Sequence, residues 1–255
     1  MQQLRLFFIA LQFFTRLPIP RWVGFEPHWL NHASRYFPAV GIVVGAITAA
    51  VYVLASWAWP QAIAVLLSTI AGIYVTGAFH EDGFADTCDG LGGGMTRERV
   101  LEIMTDSRIG AYGAIGIALL LALKCVVLAT LPPQMVIAAL LVAHPLSRLA
   151  ATALMWQLTY VKGEGKAKPL AQRMSNTEFF IAGLTAMLPM AAVIFFDWIS
   201  WQALAAGISV VALAALWLAR KFVQRVGGYT GDCLGAVQQV TEVGFYLALS
   251  AMAFR

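Results

Sequence analysis

The stretch that decides the fold is YFPAVGIVVGAITAAVYVLASWA, residues 36–58. Most of its side chains are apolar, and none of them carries a charge. A helix needs about 20 mostly apolar residues to cross the hydrocarbon core of a bilayer. The stretch therefore predicts a transmembrane helix.

Six further stretches of similar length and character follow along the chain. They lie near residues 60–79, 110–131, 135–159, 178–197, 201–220 and 233–254. Three of the joints between them are short, which is typical of helical hairpins. The opening segment, residues 4–14, is too short to cross. It is bracketed by Arg5 and Arg16 and stopped by Pro18 and Pro20, which predicts a helix lying along the membrane interface.

The composition favours a membrane protein over a soluble one. Of the 255 residues, 60% are hydrophobic and 12% are charged, whereas a soluble domain carries about 25% charged residues. We predict an all-α, polytopic membrane bundle of about seven transmembrane helices, with an interfacial N-terminal helix and cytoplasmic active-site loops. It forms one integral-membrane domain over residues 1–255. Cys88, Cys125 and Cys233 have no metal-ligand spacing and indicate reduced thiols.

The basic residues indicate the orientation. The segments 1–35, 80–109, 160–176 and 220–232 hold fourteen of the seventeen Lys and Arg residues. These are Arg5, Arg16, Arg21, Arg35, Arg97, Arg99, Arg108, Lys162, Lys166, Lys168, Arg173, Arg220, Lys221 and Arg225. By the positive-inside rule these four segments are cytoplasmic. In a seven-span chain the N-terminus is then inside and the C-terminus outside.

Negative charge is concentrated in HEDGFADTCDGLGGG, residues 80–94. Asp82, Asp86 and Asp89 share one helical face, since their i, i+4, i+7 spacing keeps them within roughly 60°. Like charges on one face repel, and carboxylates are the ligands that Mg²⁺ prefers. The spacing predicts a metal site, with Glu81 as a lower-ranked ligand because it points about 100° away. The alternative is an acidic loop solvated by cytoplasm.

A glycine run follows the aspartates. Gly92, Gly93 and Gly94 let the backbone approach a ligand closely, and turned N–H groups there are expected to bind substrate phosphate. Such a run is also a common way for a helix to end.

The next segment predicts a short amphipathic helix. Thr96 has the character of its N-cap, and Val100, Leu101 and Met104 form its apolar side. Glu98 and Glu102 are interpreted as a solvated face.

TDSRIGAYG, residues 105–113, stands where the third span begins. Asp106 is a catalytic candidate. Arg108 is expected to hold a phosphate oxygen, or else to anchor the helix among lipid headgroups.

Ionisable residues inside spans are functional candidates. Arg148, near the middle of the fourth span with His144 and Ser147, is too deep to reach the headgroups. It must pair with a carboxylate, a backbone carbonyl or an anionic ligand, and the structural alternative is a buried ion pair. Lys124 lies closer to the far interface, within reach of its headgroups, and is left out of the candidates.

The last span opens with a polar stripe. Asp232, Gly235, Gln239 and Glu242 fall within about 80° on a helical wheel and should face protein or water. Asp232 alone has the alternative role of an N-cap. His80, beside the acidic face, is either a base, a phosphate contact or an interfacial residue.

Three segments resemble the hallmark segments of the cobalamin synthase family, the adenosylcobinamide-GDP ribazoletransferases. They are HEDGFADTCDGLGGG at 80–94, RVLEIMTDSRIGAYG at 99–113 and GGYTGDCLGAVQQVTE at 227–242. The N-terminal LQFFTRLPIP, residues 11–20, is similar as well. The resemblance implies a Mg²⁺-dependent, multi-pass enzyme of the bacterial inner membrane, acting on a corrinoid and on α-ribazole or its 5′-phosphate. It implies no nucleic-acid partner, and a homo-oligomer or an association with other corrinoid-assembly enzymes is compatible with it.

The family reaction transfers phosphocobinamide from adenosylcobinamide-GDP to a ribose hydroxyl and releases GMP. Such a displacement needs positioning and charge neutralisation. We expect Asp82, Asp86 and Asp89 to bind Mg²⁺ and Arg108 and Arg148 to hold phosphate oxygens. Asp232 or Asp106 would complete the metal shell or accept the hydroxyl proton.

Two other function classes fit the residues without the resemblance. One is another Mg²⁺-dependent membrane transferase, of the CDP-alcohol phosphotransferase or prenyltransferase type. The other is a secondary transporter whose pathway includes His144 and Arg148. The carboxylates cluster at one face rather than in mid-membrane, which favours chemistry at the cytoplasmic surface.

Overall fold

The structure is a computed structural model, and it describes residues 1–24, 26, 29–161 and 174–254. The prediction that Lys162, Lys166, Lys168 and Arg173 are cytoplasmic concerns residues outside that part. The described residues form eleven α-helices. They are α1 (Gln2–Phe14), α2 (Trp29–Ala33), α3 (Phe37–Ser56), α4 (Gln61–Thr76), α5 (Phe79–Gly93), α6 (Arg97–Ile103), α7 (Ala111–Thr130), α8 (Pro133–Gln157), α9 (Asn176–Phe195), α10 (Trp201–Val226) and α11 (Gly231–Ala253).

The predicted all-α membrane bundle is confirmed, but the count of seven spans is not. Among the described residues, five helical segments are long and apolar enough to cross a membrane. They are Trp29–Ser56, which joins α2 to α3, and the helices α7, α8, α9 and α10. α4 has 16 residues, about 24 Å of helix against a hydrocarbon core of about 30 Å. It counts as part of a sixth span only together with α5, from which it is bent by 89°. α11 is outside this set, although it is long enough, because it carries polar and charged side chains in its buried half.

The helices end where the sequence supplies breaks. The α3–α4 hairpin turns at Pro60, which directly precedes α4. The α7–α8 hairpin turns at Pro132 and Pro133. The sharp bend between α4 and α5 is made by Gly77 and Ala78, which have φ values of +66° and +59°. A left-handed pair of residues cannot continue a right-handed helix, so the chain changes direction there.

Close helix contacts use small residues, as expected of a membrane bundle. α3 crosses α8 at Gly41 and Gly45, where a Cβ would lie 2.6 Å from the His144 carbonyl oxygen and 2.7 Å from the Leu140 carbonyl oxygen. α11 packs against α5, α7, α8 and α10 and so occupies the centre of the bundle. Its position explains why it can carry polar side chains: they face other helices rather than lipid.

Helix α1 and the segment after α8 are both held against the rest of the bundle. In α1 the side chains of Leu6, Ile9, Ala10, Leu11 and Phe14 are buried against the bundle. The Tyr229 N–H donates to the Thr159 carbonyl at 3.0 Å, and the Val161 N–H donates to the Tyr229 carbonyl at 3.0 Å. The segment after α8 is therefore held against the α10–α11 joint. Burial of its ring raises the pKa of Tyr229 to about 12.

Candidate active site

The first hallmark segment, residues 80–94, forms most of α5, and this helix crosses α11 at a very short distance. A Cβ on Gly83 would lie 3.0 Å from the Asp232 Cα, and a Cβ on Gly235 would lie 3.0 Å from the His80 carbonyl oxygen. Any larger side chain at either glycine would push the two helices apart. The crossing joins the first hallmark segment to the third, although about 150 residues separate them.

Three carboxylates lie around this crossing on its solvent side, and we call them the acidic rim. Asp82 is exposed, and Asp86, one helical turn later, is half-buried. Asp232 is half-buried in the first turn of α11, and its Cα lies at the crossing. The alternative that Asp232 is the N-cap is wrong, because Thr230 holds that position and its Oγ1 accepts the Cys233 N–H at 3.3 Å. The acidic rim therefore combines acids from two of the three hallmark segments.

Asp89 shares the helical face but has a different environment. Its Oδ2 accepts the Gly110 N–H at 2.7 Å and its Oδ1 accepts the Gly113 N–H at 2.8 Å. The carboxylate thus caps the N-terminus of α7, where free N–H groups and the helix dipole favour an anion. A Cβ on Gly110 or Gly113 would overlap the carboxylate. This contact explains both glycines of the second hallmark segment and engages both oxygens of the predicted metal ligand.

The predicted metal site fits this geometry only in part. Within the described residues, no group of three or more His, Cys, Asp or Glu side chains is arranged to hold a metal ion. Mg²⁺, however, usually takes only one or two carboxylates from the protein, together with waters and substrate phosphates. Asp82 and Asp86 are of the right chemical type, and Asp82 is accessible. Asp89 and the buried Glu81 are engaged elsewhere, so the structure favours a smaller ligand set than the sequence predicted.

The glycine run lies at the C-terminal end of α5. Gly94 closes the helix with its N–H on the Gly90 carbonyl at 2.9 Å, and Gly92 packs against the ring of Tyr112. The end of this helix presents carbonyl oxygens, which disfavour an anion. The Arg225 guanidinium donates to the carbonyls of Leu91 and Gly94. The geometry thus supports the helix-ending role of Gly92, Gly93 and Gly94 and gives no cradle of N–H groups for phosphate.

Asp106 and Arg108 form an exposed pair between α6 and α7. Arg108 Nε donates to Asp106 Oδ1 at 3.0 Å and its Nη2 donates to Oδ2 at 2.7 Å. Hydrogen bonds from Arg108 lower the pKa of Asp106 to about 2, so this carboxylate is a weak base. Arg108 uses on Asp106 the same two-point geometry that it would use on a phosphate, and its side chain is 86% exposed.

The predicted amphipathic helix before this pair is confirmed. Thr96 Oγ1 caps α6 by accepting the Arg99 N–H at 3.3 Å, and Val100 and Met104 are buried. Glu98 and Glu102 lie on its exposed side, as interpreted.

A second group of polar side chains lies deeper, inside the bundle, and Glu242 of α11 is its centre. Lys124 of α7 forms an ion pair with Glu242 Oε1, which also accepts the Tyr246 hydroxyl at 3.0 Å. Gln238 Nε2 donates to Glu242 Oε2 at 2.6 Å, and His144 Nδ1 lies 3.3 Å from the same oxygen. Leaving Lys124 out as a residue within reach of the far interface was wrong, since a buried carboxylate holds it in the bundle.

The polar group continues from Glu242 to α5. Gln239 Nε2 donates to Glu81 Oε1 at 2.9 Å and to Gln238 Oε1 at 3.0 Å. Arg148 donates through Nη1 to the His144 carbonyl at 3.0 Å, which is one of the three partners that the sequence allowed. We call this set the buried polar network, and its members are Glu81, Lys124, His144, Arg148, Gln238, Gln239, Glu242 and Tyr246. The predicted inward-facing stripe of α11 is therefore confirmed for Gly235, Gln239 and Glu242.

Several atoms of the network have no hydrogen-bond partner within the described part of the chain. They are Glu81 Oε2, Gln239 Oε1, Arg148 Nε and His144 Nε2, while His144 Nδ1 has only its 3.3 Å contact with Glu242 Oε2. These residues line one polar cavity of about 10 Å³. A polar cavity of this size is about large enough for one water molecule with several partners.

His80 and Arg148 stand between this polar cavity and a second one. The second cavity has a volume of about 30 Å³ and is otherwise apolar, with Phe14, Phe37 and Phe79 in its wall. His80 stacks on Phe14 with 5.3 Å between ring centroids. His80 is 4% exposed and Arg148 is 2% exposed. On the same measure this cavity has room for about two or three water molecules, and both side chains are closed off from solvent in this arrangement.

The sequence does not predict the hydrogen-bonding roles of Gln238, Tyr246 and Arg225. Gln238 and Tyr246 look like ordinary residues of a span, and Arg225 looks like one of many basic residues at a membrane surface. Lys124 carried a signal, because an ionisable residue within a span is a candidate by default. Its partner, 118 positions later, is fixed only by the packing of α7 on α11.

The chain is similar to known proteins along nearly its whole length. The pattern of the cobalamin-5-phosphate synthase family, CobS, matches residues 6–250. The chain belongs to this family. No solved structure matches it.

The curated relatives agree with the family match over nearly the whole chain. A protein of Leptothrix cholodnii named adenosylcobinamide-GDP ribazoletransferase is 47% identical over 95% of this chain and 94% of its own length. Proteins of the same name from Shewanella frigidimarina and Ralstonia pickettii are 44% and 45% identical, over 99% and 92% of this chain and 96% and 90% of their own lengths. Cobalamin-5-phosphate synthase membership favours the transferase that the hallmark segments indicated over the other two function classes.

Proposed function

We propose that this chain is an adenosylcobinamide-GDP ribazoletransferase and performs the nucleotide-loop assembly step of cobalamin biosynthesis. It transfers phosphocobinamide from adenosylcobinamide-GDP to a hydroxyl of α-ribazole or α-ribazole 5′-phosphate and releases GMP. The observation that carries the proposal is the family match over residues 6–250. The Gly83–Gly235 crossing supports it, because it places acids of two hallmark segments side by side.

In the reaction, the ribose oxygen forms a bond to the phosphorus that carries the corrinoid's aminopropanol arm. The bond from that phosphorus to the oxygen of GMP breaks, and the ribose hydroxyl loses its proton. Most of the catalytic effect is expected from positioning and from the neutralisation of phosphate charge. Asp232 is the better candidate for the proton, because Asp106 is held as a weak base by Arg108. Arg108 remains a candidate for a phosphate oxygen.

Asp82 and Asp86 would hold Mg²⁺, with substrate phosphates as further ligands. When bound, the ion supplies positive charge to the diphosphate and to the leaving GMP oxygen. His80 and Arg148 then act indirectly, since they are buried beneath the crossing. There His80 stacks on Phe14 and holds α5 against α1, while Arg148 donates to the His144 carbonyl of its own helix.

GMP release tests the activity. The purified full chain is incubated in detergent with Mg²⁺, adenosylcobinamide-GDP and either form of α-ribazole. We expect GMP to appear in proportion to the corrinoid product, and no GMP when chelator replaces Mg²⁺. Intact substrates in the complete mixture would overturn the proposal. Turnover of a CDP-alcohol or a prenyl diphosphate instead would favour the other transferase class.

We also propose that the chain lies in the bacterial inner membrane, with the acidic rim facing the cytoplasm. In support, the short joints at 57–60, 131–132 and 196–200 carry no Lys or Arg, while the opposite ends of the helices carry many, which is the asymmetry of the positive-inside rule. A membrane-impermeant maleimide should label Ser200→Cys in intact cells and Glu98→Cys only after permeabilisation, in a chain without its native cysteines. The reverse pattern would invert the orientation.

A further inference from the structure

Arg225 lies in the last turn of α10, but the groups that it binds belong to α5, the helix of the acidic rim. Its Nη2 donates to the Leu91 carbonyl at 3.3 Å and to the Gly94 carbonyl, which lie 134 and 131 positions earlier in the chain. The last carbonyls of a helix have no partner within that helix, and a cation beside them is favoured. Arg225 therefore binds the C-terminal end of α5 to α10.

The two arginines of the second hallmark segment make contacts of a different kind. Arg99 Nη1 lies 2.8 Å from Glu102 Oε2 in the same short helix, and Arg108 binds Asp106, two positions earlier. Local contacts of this kind can form however the helices pack. The contact of Arg225 forms only when the ends of α5 and α10 meet, so it stabilises one particular arrangement of the two helices.

This contact is a second point at which α5 is fixed relative to Asp232. The first point is the crossing at Gly83, where a Cβ would lie 3.0 Å from the Asp232 Cα. Leu91 follows Gly83 at a distance of about 12 Å along the helix, and Asp86 lies between them. A helix that is held only at one crossing can pivot about it. A helix held at two separated points cannot, so Asp86 keeps its place.

The chain that carries Arg225 leads within a few residues to Asp232. α10 and α11 are joined by a short turn that begins at Gly227, whose φ is +82°. The turn is closely packed, because a Cβ on Gly228 would overlap the Thr159 carbonyl oxygen. A group that binds Arg225 is therefore held relative to Asp232 through a short and packed piece of chain.

We propose that Arg225 is a positioning residue of the transferase reaction. By holding the end of α5 on α10, it keeps Asp82 and Asp86 at a fixed distance from Asp232. This inference rests on the proposed function, in which α5 holds the metal and Asp232 takes the proton. A displacement of about 1 Å between such groups can cost about 10²-fold in rate. Because Asp82 and Asp86 share one helix, the loss of Arg225 should leave metal binding intact.

GMP release by the purified full chain in detergent tests this role. Arg225→Met has no donor and should lower kcat by about 10- to 100-fold, with little change in KM for either substrate. The amount of Mn²⁺ bound per chain, counted by electron paramagnetic resonance, should stay as in the parent. Arg225→Lys should regain part of the rate, because an ammonium can still donate to a carbonyl. Arg220→Met, at an exposed arginine of the same helix, is the control and should keep its rate.

A distance measurement separates this inference from the activity, because it needs no turnover. Spin labels are attached to Gly93→Cys in α5 and Lys221→Cys in α10, both at exposed positions, in a chain without its native cysteines. Arg225→Met should broaden the distribution of distances between the two labels, and Arg220→Met should not. Arg225→Gln replaces Arg225→Met if that variant does not fold.

An unchanged distribution of distances in Arg225→Met would overturn the proposal, and so would full turnover of that variant. A fall in kcat that only matches a loss of Mn²⁺ sites would overturn it as well, because Arg225 would then merely support folding. If the parent chain releases no GMP, the proposed function fails, and the distances alone decide whether Arg225 fixes α5 on α10.

Discussion

Glu81 and Asp82 are neighbours in α5, yet they have opposite environments. The Glu81 side chain is buried and accepts a hydrogen bond from Gln239, while Asp82 is exposed on the acidic rim. The pair teaches that α5 has two functions separated by about 100° of helix. One face joins the buried polar network and holds the helix against α11, and the other presents carboxylates to solvent. Substitutions on the buried face should therefore lower stability, and those on the acidic rim should lower turnover.

The largest effect is expected in the network. Glu242→Gln removes the negative charge that Lys124 needs, and a buried charge without its partner costs about 3–5 kcal/mol. Unfolding in detergent, followed by heat or denaturant, should show this loss. Lys124→Met in the same chain should restore much of it, because the pair is then neutral. If the single variant is as stable as the parent, Lys124 is not held by Glu242.

The next effect concerns the acidic rim. Asp82→Asn should lower the rate of GMP release by roughly 10²-fold or more, since charge neutralisation at a phosphate contributes several kcal/mol to such reactions. Thermal unfolding should stay as in the parent. Glu98→Gln, an exposed acid of α6, is the matched control and should retain its rate. An Asp82→Asn protein with full turnover would remove this residue from the metal site.

Gly83→Ala tests the crossing that connects the two faces. The added methyl would lie 3.0 Å from the Asp232 Cα, and overpacking of this kind typically costs about 1–3 kcal/mol. Both the unfolding temperature and the rate of GMP release should fall, because the acids of α5 and α11 move apart. Gly183→Ala is the control, since a Cβ there meets no atom within 4 Å. A loss of stability without any loss of turnover would show that the spacing of the acids does not matter.

The smallest effect is expected at Asp89. Asp89→Asn keeps one acceptor for the α7 N-terminus and loses the other, so stability should fall by about 1 kcal/mol. Turnover at temperatures well below unfolding should stay close to that of the parent. A loss of turnover as large as that of Asp82→Asn, with unchanged stability, would return Asp89 to the metal ligands.

The sequence by itself determined the class of fold and the family. Long uncharged stretches require helices in a membrane, because only a helix satisfies its own backbone there. The hallmark segments, which are contiguous, could be recognised without a structure. The inward face of α11 also followed from the sequence, since the spacing of Gly235, Gln239 and Glu242 is a property of one helix.

Only the tertiary structure decided which acids lie near one another. Asp82 and Asp89 lie on the same face of α5, but Asp89 reaches the N-terminus of α7 and Asp82 does not. The pairing of Lys124 with Glu242 and the placement of Asp232 beside Gly83 likewise join residues far apart in the chain. Helical periodicity fixes the direction of a side chain relative to its own helix. The partner that it meets depends on how α5, α7 and α11 pack, which no local pattern contains.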